Sequence, residues 1–406
     1  MPDLETALAL LAVVLLVAAL FSGLVARLPL SFPMIFLGLG FLLGERGLGV
    51  IHIGVDDPAL EAIAIVSLSF VLFLDAINLR FDELGPGWRV PLLALGPGTL
   101  LTVALVALGA ALALGLSPLN ALLLGAILAS VDPVVLRDVA RDRRIPRSIR
   151  LALTTEAGTN DVIVLPLVLV LSAIEIGGVS GVTAWLALLA RLFLLGPLVG
   201  AALGFALVWL IAKARAHELI SREYRALYGV GGVLAAYVAG EAVGGSGFLA
   251  VFAAGVVVAA TDYDLCDCFL EFDEVTAEMA MLLAFILFGA LLSTLLGSVP
   301  PARTLLFALL VLAVARPLAL GVVLARAVVS RPARLFMGWF GPRGLSSLLF
   351  GLLVVRRGVP DGERLLALSG AVVVVSVVLH GVSEVPLAGW YGRAVERQTL
   401  PEEREG

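Results

Sequence analysis

The chain has 406 residues and a formal net charge of −5, and 61% of its residues are hydrophobic while only 15% are charged. A soluble globular domain is about half apolar and about a quarter charged, so this composition excludes a water-soluble fold. Apolar runs of about twenty residues recur along the chain, which is typical of an all-α polytopic membrane protein. The charges sit mainly in short loops and indicate no nucleic-acid partner.

Charged and Gly/Pro-rich breaks divide the chain into about thirteen predicted membrane spans. The loops between them are too short to hold a soluble domain. The predicted spans lie near residues 4–25, 29–44, 59–78, 90–115, 118–139, 149–172, 182–211, 226–241, 246–261, 275–297, 303–325, 334–355 and 364–390.

Loop charge predicts how these spans are oriented. The loops after the fifth, seventh and eleventh spans are rich in Lys and Arg, between residues 137–150, 213–225 and 326–334. Positively charged loops stay on the cytoplasmic side of a membrane. The pattern therefore predicts a multi-pass protein of the cell membrane with its N-terminus outside and its C-terminus in the cytoplasm.

Two spans are interrupted at corresponding places. The fifth breaks at Val131-Asp132-Pro133 and the twelfth at Gly341-Pro342-Arg343, seven spans later, so the two halves would insert with opposite topology. Interrupted helices at matching positions of inverted halves indicate the midplane binding site of a transporter. A simple proline kink with Arg343 reaching one membrane surface remains the alternative.

The fifth span offers oxygen ligands at its break. Pro133 has no N–H, so the carbonyl of Ala129 loses its helical donor, and Asp132 is pushed out of the helical conformation. Unwound backbone is tolerated in a membrane where it lines a cavity or contacts protein. Free carbonyls beside a carboxylate suit a small alkali cation.

The sixth span carries two carboxylates, Glu156 and Asp161, inside an apolar segment read as one helix. Each costs about 2.5–3.5 kcal/mol near the middle of a bilayer, so a functional site is the default interpretation. On a helix the two acids face neighbouring sectors. We therefore predict that Glu156 forms an ion pair with Arg343 while Asp161 binds the proton and the cation in turn. A purely structural role for the acids remains open.

These residues carry a family resemblance. The Asp132-Pro133 break, the run from Glu156 to Asp161, GGSGFLAVFAAG from residue 244, GPRG from residue 341 and His380-Gly381 occur in a specific order. The chain resembles the prokaryotic sodium/proton antiporters of the monovalent cation:proton antiporter-1 family, relatives of the eukaryotic exchangers. The resemblance implies the sodium/proton antiporter fold, with thirteen helices, crossing fifth and twelfth helices, and a dimerisation domain. It also implies electroneutral exchange of a proton for Na+ or Li+, or for K+.

The resemblance also implies residue roles. Asp161 matches the family's cation- and proton-binding aspartate, and Glu156 the acid that contributes to the cation site. Asp132 matches the aspartate that holds the crossing, and Asn160 the residue that bonds across it. Where the family usually has Thr, this chain has Val131, which keeps only a backbone carbonyl ligand.

A second departure removes another hydroxyl. The family usually has Ser after the matching glutamate, where this chain has Ala157. Several nearby residues are predicted to compensate or to play accessory roles: Ser130, Thr154, Thr155 and Thr159 as hydroxyl ligands for the cation, Arg316 paired with Glu278, and His380 as a core or pH-responsive histidine.

The domain division follows the same resemblance. Residues 90–172 and 303–390 are predicted to form the ion-site core, and residues 4–78 and 182–297 the dimerisation scaffold of a homodimer. Cys266 and Cys268 fall in a predicted acidic loop and lack the nearby ligands of a zinc site. No cofactor is predicted, and no nucleotide-binding G-x-x-x-x-G-K-[ST] loop is present in the sequence.

Two other function classes are compatible with a polytopic membrane chain. An intramembrane hydrolase would need Ser246 as nucleophile and His380 as base, but GGSGF is not a G-x-S-x-G motif, and the buried acids would be unexplained. The chain is therefore predicted not to be an enzyme. A transport-altered or sensory relative of the family is the other alternative, motivated by Val131 and Ala157.

Overall fold

In the part of the chain that the computed structural model describes, the regular secondary structure is helical, apart from one isolated β-bridge between Gly44 and Ile51. The structure describes residues 31–78, 89–133, 136, 139–140, 142–177, 181–221, 224–261, 263–327 and 329–397, together with 12, 16 and 20. The side chains of 226 and 263–278 lie outside that description. The predicted first span, near 4–25, falls mostly outside the described residues.

The described helices follow the predicted spans closely. In chain order they are α1 Phe32–Leu43, α2 Pro58–Ile77, α3 Arg89–Leu114, α4 Pro118–Ile127, α5 Arg147–Ala157, α6 Asp161–Glu175, α7 Val182–Ala216, α8 Tyr224–Ala242, α9 Gly247–Thr261, α10 Tyr263–Leu295, α11 Pro301–Arg326, α12 Arg331–Trp339, α13 Leu345–Arg356 and α14 Gly362–Arg397. Seven described helical segments are long and apolar enough to cross a membrane, which agrees with the predicted polytopic fold.

Three helices carry a π-helical turn next to a proline. The turns are Ala94–Gly98 in α3, Arg191–Leu195 in α7 and Val311–Ala315 in α11, with prolines at 97, 197 and 317. A proline cannot donate the i→i−4 hydrogen bond, and a wider turn is one way to accommodate the loss. α3 and α11 correspond to the fourth and eleventh predicted spans, which are seven spans apart, as the inverted repeat requires.

The two predicted interruptions are present. α4 ends at Ile127 before the first break, and α12 and α13 are separated by the second break. The sixth span differs from the prediction of one helix, because residues 158–160 form a turn between α5 and α6. There Thr159 N donates to the Glu156 carbonyl at 3.3 Å and Val162 N to the Thr159 carbonyl at 3.1 Å, so i→i−3 bonds tighten the chain.

The predicted acidic loop around Cys266 and Cys268 is wrong. The backbone of Tyr263–Leu295 is one helix of 33 residues, so both cysteines lie within α10. The apolar run that begins near residue 275 marked only the second half of this helix. The thiol side chains lie outside the described residues.

The chain divides into two compact units. The first takes Met1–Leu60, Gly85–Ile176 and Leu282–Gly406, and the second Glu61–Leu84 and Gly177–Met281. Part of the first unit's core is aromatic, with the rings of Phe336 and Tyr391 stacked at 4.6 Å between centroids. The predicted division into an ion-site core and a dimerisation scaffold concerns function and stays a prediction.

The second unit is held by close backbone packing between α7 and α9. A Cβ atom added at Gly200 would lie 2.0 Å from the carbonyl oxygen of Ala250, so only glycine allows the two helices this approach. Val208, Val251 and Ala254 continue the same buried surface. Small residues at a helix contact are the usual solution in a membrane, where packing rather than water exclusion joins helices.

Candidate functional site

The first break, from residue 128 to Pro133, is repaired by a side chain. Pro133 cannot donate to the Ala129 carbonyl, which is the missing helical bond predicted above. Asn160 Nδ2 donates to that carbonyl at 3.0 Å, and Asn160 is fully buried. The amide of Asn160 therefore replaces the absent backbone donor and joins the break to the turn that precedes α6.

The second break, between α12 and α13, is bonded directly to the first. Asp132 N donates to the Pro342 carbonyl at 2.9 Å, and Leu345 N donates to Asp132 Oδ2 at 2.7 Å. In the opposite direction, Arg343 Nη1 donates to the Ser130 carbonyl at 2.7 Å. The two interrupted helices therefore meet at their breaks, with polar backbone groups of each satisfied by the other.

The glycines of the GPRG motif make this meeting sterically possible. A Cβ atom at Gly344 would lie 1.8 Å from Asp132 Oδ2, and one at Gly341 would lie 1.9 Å from Arg316 Nε. A side chain at either position would collide with a buried charged group. Close approach, rather than a positive φ angle, explains these two glycines, since φ of Gly344 is −150°.

Asp161 is the first residue of α6 and is buried beside the crossing. Its Oδ1 accepts a hydrogen bond from the Ser130 hydroxyl at 2.6 Å, and Ser346 of α13 is a second neighbouring hydroxyl. Its Oδ2 and the Oδ1 of Asn160 have no hydrogen-bond donor among the described residues. A buried carboxylate oxygen without a donor is costly, so this oxygen is available to a proton or a cation.

Glu156 forms a buried ion pair with Arg316 of α11. Arg316 Nη1 lies 2.7 Å from Glu156 Oε1 and Nη2 lies 3.0 Å from Oε2, so the contact is bidentate. The two side chains are only 1% and 5% exposed. Planar guanidinium and carboxylate groups match each other best in this geometry. Arg316 follows the π-helical turn of α11 directly.

The predicted ion pair between Glu156 and Arg343 is therefore wrong. Arg343 is completely buried, but its guanidinium donates to the Ser130 carbonyl and makes no ion pair with Glu156. Arg343 belongs to the break itself, where it reaches across to the end of α4, while Arg316 approaches from a separate helix. The predicted partner of Arg316, Glu278, has its side chain outside the described residues.

The structure does not bring the other predicted hydroxyls to Asp161. The Thr159 hydroxyl donates to the Thr155 carbonyl, and the Thr154 hydroxyl to the Arg150 carbonyl, so both serve their own turn. Val131 and Ala157, the two departures from the family pattern, are buried in an apolar cluster. A ligand role for the Val131 carbonyl stays a prediction.

Sequence reasoning missed one residue and one pairing of this site. Ser346 was not considered, and Arg316, predicted as an accessory residue, was not matched to Glu156. The signal for Arg316 was available, because an arginine within the apolar run of α11 must find a buried carboxylate. Ser346 had no comparable signal, since a serine in a membrane helix is satisfied by its own backbone as easily as by a distant site.

The sequence matches one protein family and several curated relatives along most of its length. Residues 12–390 match the profile of the family described as sodium/hydrogen exchanger, transmembrane. The K(+)/H(+) antiporter NhaP of Alkalimonas amylolytica is 29% identical over 396 residues, covering 96% of this chain and 67% of the relative. The Na(+)/H(+) antiporter NhaS2 of Synechocystis sp. is 27% identical over 249 residues, covering 61% of this chain and 44% of the relative.

A solved structure has the same fold. The sodium proton antiporter MjNhaP1 from Methanocaldococcus jannaschii, determined at pH 8, superimposes with a TM-score of 0.76. The match covers 97% of this chain and 99% of that one at 22% sequence identity. At this identity the likeness concerns the fold, and it extends over nearly the whole length of both chains.

Proposed function

Because this chain belongs to the sodium/hydrogen exchanger family, we propose that it is a secondary antiporter of the cell membrane that exchanges a proton for a monovalent cation at Asp161. The observation that carries the proposal is the Asp161 carboxylate, which is buried, accepts the Ser130 hydroxyl at Oδ1, has Ser346 as a second hydroxyl neighbour and keeps Oδ2 without a donor in hydrogen-bond geometry among the described residues. A proton or a cation at that oxygen removes the same cost of desolvation. Binding of one therefore competes with binding of the other, which is the requirement for exchange.

The balance of buried charge supports an electroneutral exchange of one proton for one cation. Among the described residues, the site contains three buried carboxylates and two buried guanidiniums, which leaves one negative charge when all are ionised; they are Asp132, Glu156, Asp161, Arg316 and Arg343. One proton or one monovalent cation neutralises that charge. Either occupied form is then able to cross the low-dielectric interior, while the empty form is disfavoured.

The transported cation is Na+, Li+ or K+. Ser130 and Ser346 supply hydroxyls near Asp161, with the Val131 carbonyl as a further oxygen. Glu156 is engaged by Arg316 in this structure, so its contribution to the cation requires that pair to open. K+ belongs in the series because the relative from Alkalimonas amylolytica is named a K(+)/H(+) antiporter.

Transport proceeds by alternating access in this proposal. The helices around the two breaks move as the ion-site core, and the remaining helices form the scaffold of a homodimer in the lipid bilayer. The positive loops orient the chain with its C-terminal end in the cytoplasm. Asp132 and Asn160 hold the crossing during this movement, since both join the first break to other elements.

The test is antiport by the purified protein in liposomes. A preformed pH gradient is established, Na+, Li+ or K+ is added at acidic, neutral and alkaline pH, and collapse of the gradient is followed with a fluorescent dye. Collapse is expected with at least one cation and is lost in Asp161→Asn. Glu175→Gln is the matched control, because Glu175 is a second acid of α6 at its far end.

A protein that moves no protons with any of the three cations is not an antiporter. A cation-dependent change in protein fluorescence without exchange would instead favour the sensory alternative. The hydrolase interpretation has little support, because Ser246 Oγ accepts from Leu249 N at 3.5 Å at the start of α9 and the ring of His380 is hydrogen-bonded elsewhere.

A further inference from the structure

His380 is a buried histidine of α14 that the proposed exchange does not use. Its Nε2 lies 2.9 Å from the carbonyl oxygen of Trp339, the last residue of α12. Its Nδ1 lies 3.1 Å from the hydroxyl oxygen of Ser376 and 2.8 Å from the carbonyl oxygen of that residue. The ring therefore contacts the residue at which the second break begins.

The same face of α14 also holds the other end of the break. Ser376 Oγ accepts a hydrogen bond from Arg343 N at 2.7 Å, and Ser383 Oγ accepts one from Trp339 Nε1 at 2.9 Å. Residues 376, 380 and 383 are four and three apart, so they share one face of the helix. Through these three side chains, α14 fixes both Trp339 and Arg343.

A carbonyl oxygen lies beside each ring nitrogen, that of Trp339 at Nε2 and that of Ser376 at Nδ1. Both carbonyls can only accept, so a neutral ring donates to Trp339 from Nε2 or to Ser376 from Nδ1. Ser376 Oγ already accepts from Arg343 N, which leaves its own proton free to donate to Nδ1. The Nε2–H tautomer is the one in which the ring donates to the Trp339 carbonyl while the Ser376 hydroxyl donates to Nδ1.

We propose that His380 is a positioning residue for the cation site of the antiporter proposed above. As the Nε2–H tautomer it fixes the start of the second break directly and the end of it through Ser376. With its backbone fixed, Arg343 reaches the Ser130 carbonyl at 2.7 Å. Ser130 in turn donates its hydroxyl to Asp161 at 2.6 Å. His380 thus acts on the cation site through the break, without contacting the cation.

The transport test separates the two bonds of the ring. His380→Leu removes both, His380→Asn keeps an acceptor near the Nδ1 position, and His380→Gln keeps a donor near the Nε2 position. We expect the apparent KM for the cation to rise about tenfold in His380→Leu, because a buried carbonyl loses its donor. His380→Gln should restore KM to within about threefold of the unsubstituted protein. His52→Gln, at an exposed histidine, is the control.

A packing role makes a different prediction. If His380→Leu lowers the maximal rate only in proportion to the amount of folded protein and leaves KM unchanged, His380 is a core residue and the proposal is overturned. Failure of His380→Gln to restore KM while His380→Asn restores it would also overturn it, because the Trp339 bond would then carry no weight.

A second measurement does not depend on transport. The chain has three histidines, so nitrogen-15 labelling of histidine gives few resonances, and the one lost in His380→Gln is assigned. Nitrogen NMR of the labelled protein in lipid should show that ring as neutral and protonated at Nε2. Ser376→Ala should shift this resonance and leave the resonances of the other two histidines unchanged.

Transport kinetics and nitrogen NMR together distinguish the positioning role of His380 from the proposed exchange. An Nδ1–H ring, or a ring unaffected by Ser376→Ala, contradicts the positioning role even if antiport is intact. If the unsubstituted protein transports no cation, the proposed exchange fails and the positioning of a transport site by His380 fails with it, whatever the tautomer. An Nε2–H ring in an active antiporter, with the expected order of KM values, supports both.

Discussion

The two breaks of the crossing differ in charge and in how they are held. The first presents the Asp132 carboxylate to the backbone N–H at the start of α13, and the second presents the Arg343 guanidinium to the Ser130 carbonyl just past the end of α4. A helix carries partial positive charge at its N-terminus and partial negative charge at its C-terminus. Each break therefore places a side chain of the favourable charge at the helix end that belongs to the other break.

Besides the bonds that the two breaks make to each other, their supports differ. The first break is joined to the Asn160 amide, which lies next to the proposed transporting aspartate, Asp161. The second is held by a whole face of α14 and by two glycines whose Cβ atoms would collide with neighbours. The first break therefore lies beside the proposed binding carboxylate, and the second lies against α14.

The largest expected effect concerns the Glu156–Arg316 pair, which lies outside both breaks. Breaking a buried ion pair costs about 3–5 kcal/mol because it leaves one charge without a partner. Glu156→Met and Arg316→Met should each lower the free energy of unfolding by about this amount, whereas the double variant should recover much of the loss. Unfolding is measured in mixed micelles. The cycle of Glu156→Met with Arg343→Met is the comparison and should give a smaller coupling energy, because these two side chains form no ion pair.

Strong coupling between Glu156 and Arg343, with weak coupling between Glu156 and Arg316, would contradict the pairing in this structure. It would also connect the second break to the acid of α5 and so remove the distinction between Arg316 and Arg343. The double-mutant cycle is suited to this decision because it isolates the pairwise contribution from the cost of each single change.

A smaller effect is expected when the hydrogen bond between the start of α13 and the Asp132 carboxylate is weakened. Asp132→Asn replaces a charged acceptor at the start of α13 by a neutral one and should cost about 2 kcal/mol of unfolding free energy. Gly344→Ala places a Cβ atom against Asp132 Oδ2 and should show a similar loss. Gly321→Ala is the control, because a Cβ atom there meets nothing within 4 Å.

If Asp132→Asn leaves the unfolding free energy unchanged while transport is lost, Asp132 contributes to ion binding rather than to the crossing. Asp132 would then be an ion ligand, as proposed for Ser130, and would not be needed to hold the crossing. Thermal unfolding of the same two variants in detergent provides the check, since it does not depend on the transported ion.

The smallest effect is expected at the amide that repairs the first break. Asn160→Ala removes the donor to the Ala129 carbonyl and should cost about 1.5 kcal/mol, the usual penalty for a buried acceptor left without a partner. Because Asn160 precedes Asp161 directly, the apparent KM for the cation should rise as well. A variant with normal stability and normal KM would show that the carbonyl finds another donor and that the first break does not depend on Asn160.

Local chemistry made much of this fold predictable. Apolar length identified the spans, and Pro133 and Pro342, each beside a charged residue within an apolar span, identified the two breaks, because a proline without N–H removes a helical hydrogen bond. Asp161 was recognisable as a candidate site residue, since a carboxylate within an apolar span is costly unless it pairs with a cation or takes up a proton. Asn160 was matched to a bond across the crossing, and the structure gives its acceptor as the Ala129 carbonyl.

Other features depended on more than local sequence. The turn at residues 158–160 was missed because Gly158, Thr159 and Asn160 tolerate both a helix and a tight turn, and the surrounding packing decides between them. The helix through Cys266 was missed because its first half is polar and acidic, a composition that is equally compatible with a loop. Hydropathy marks the membrane-facing half of a helix and not its extension beyond.

The sequence by itself determined that this chain is a membrane transporter with two interrupted helices and a buried aspartate, because each of these follows from a property of one short segment. Only the tertiary structure decided that Glu156 pairs with Arg316, that Arg343 serves the end of α4, and that Ser130 donates to Asp161. The physical reason is distance. Which of two buried arginines meets an acid depends on how helices that are far apart in the sequence pack together, and no local pattern encodes that choice.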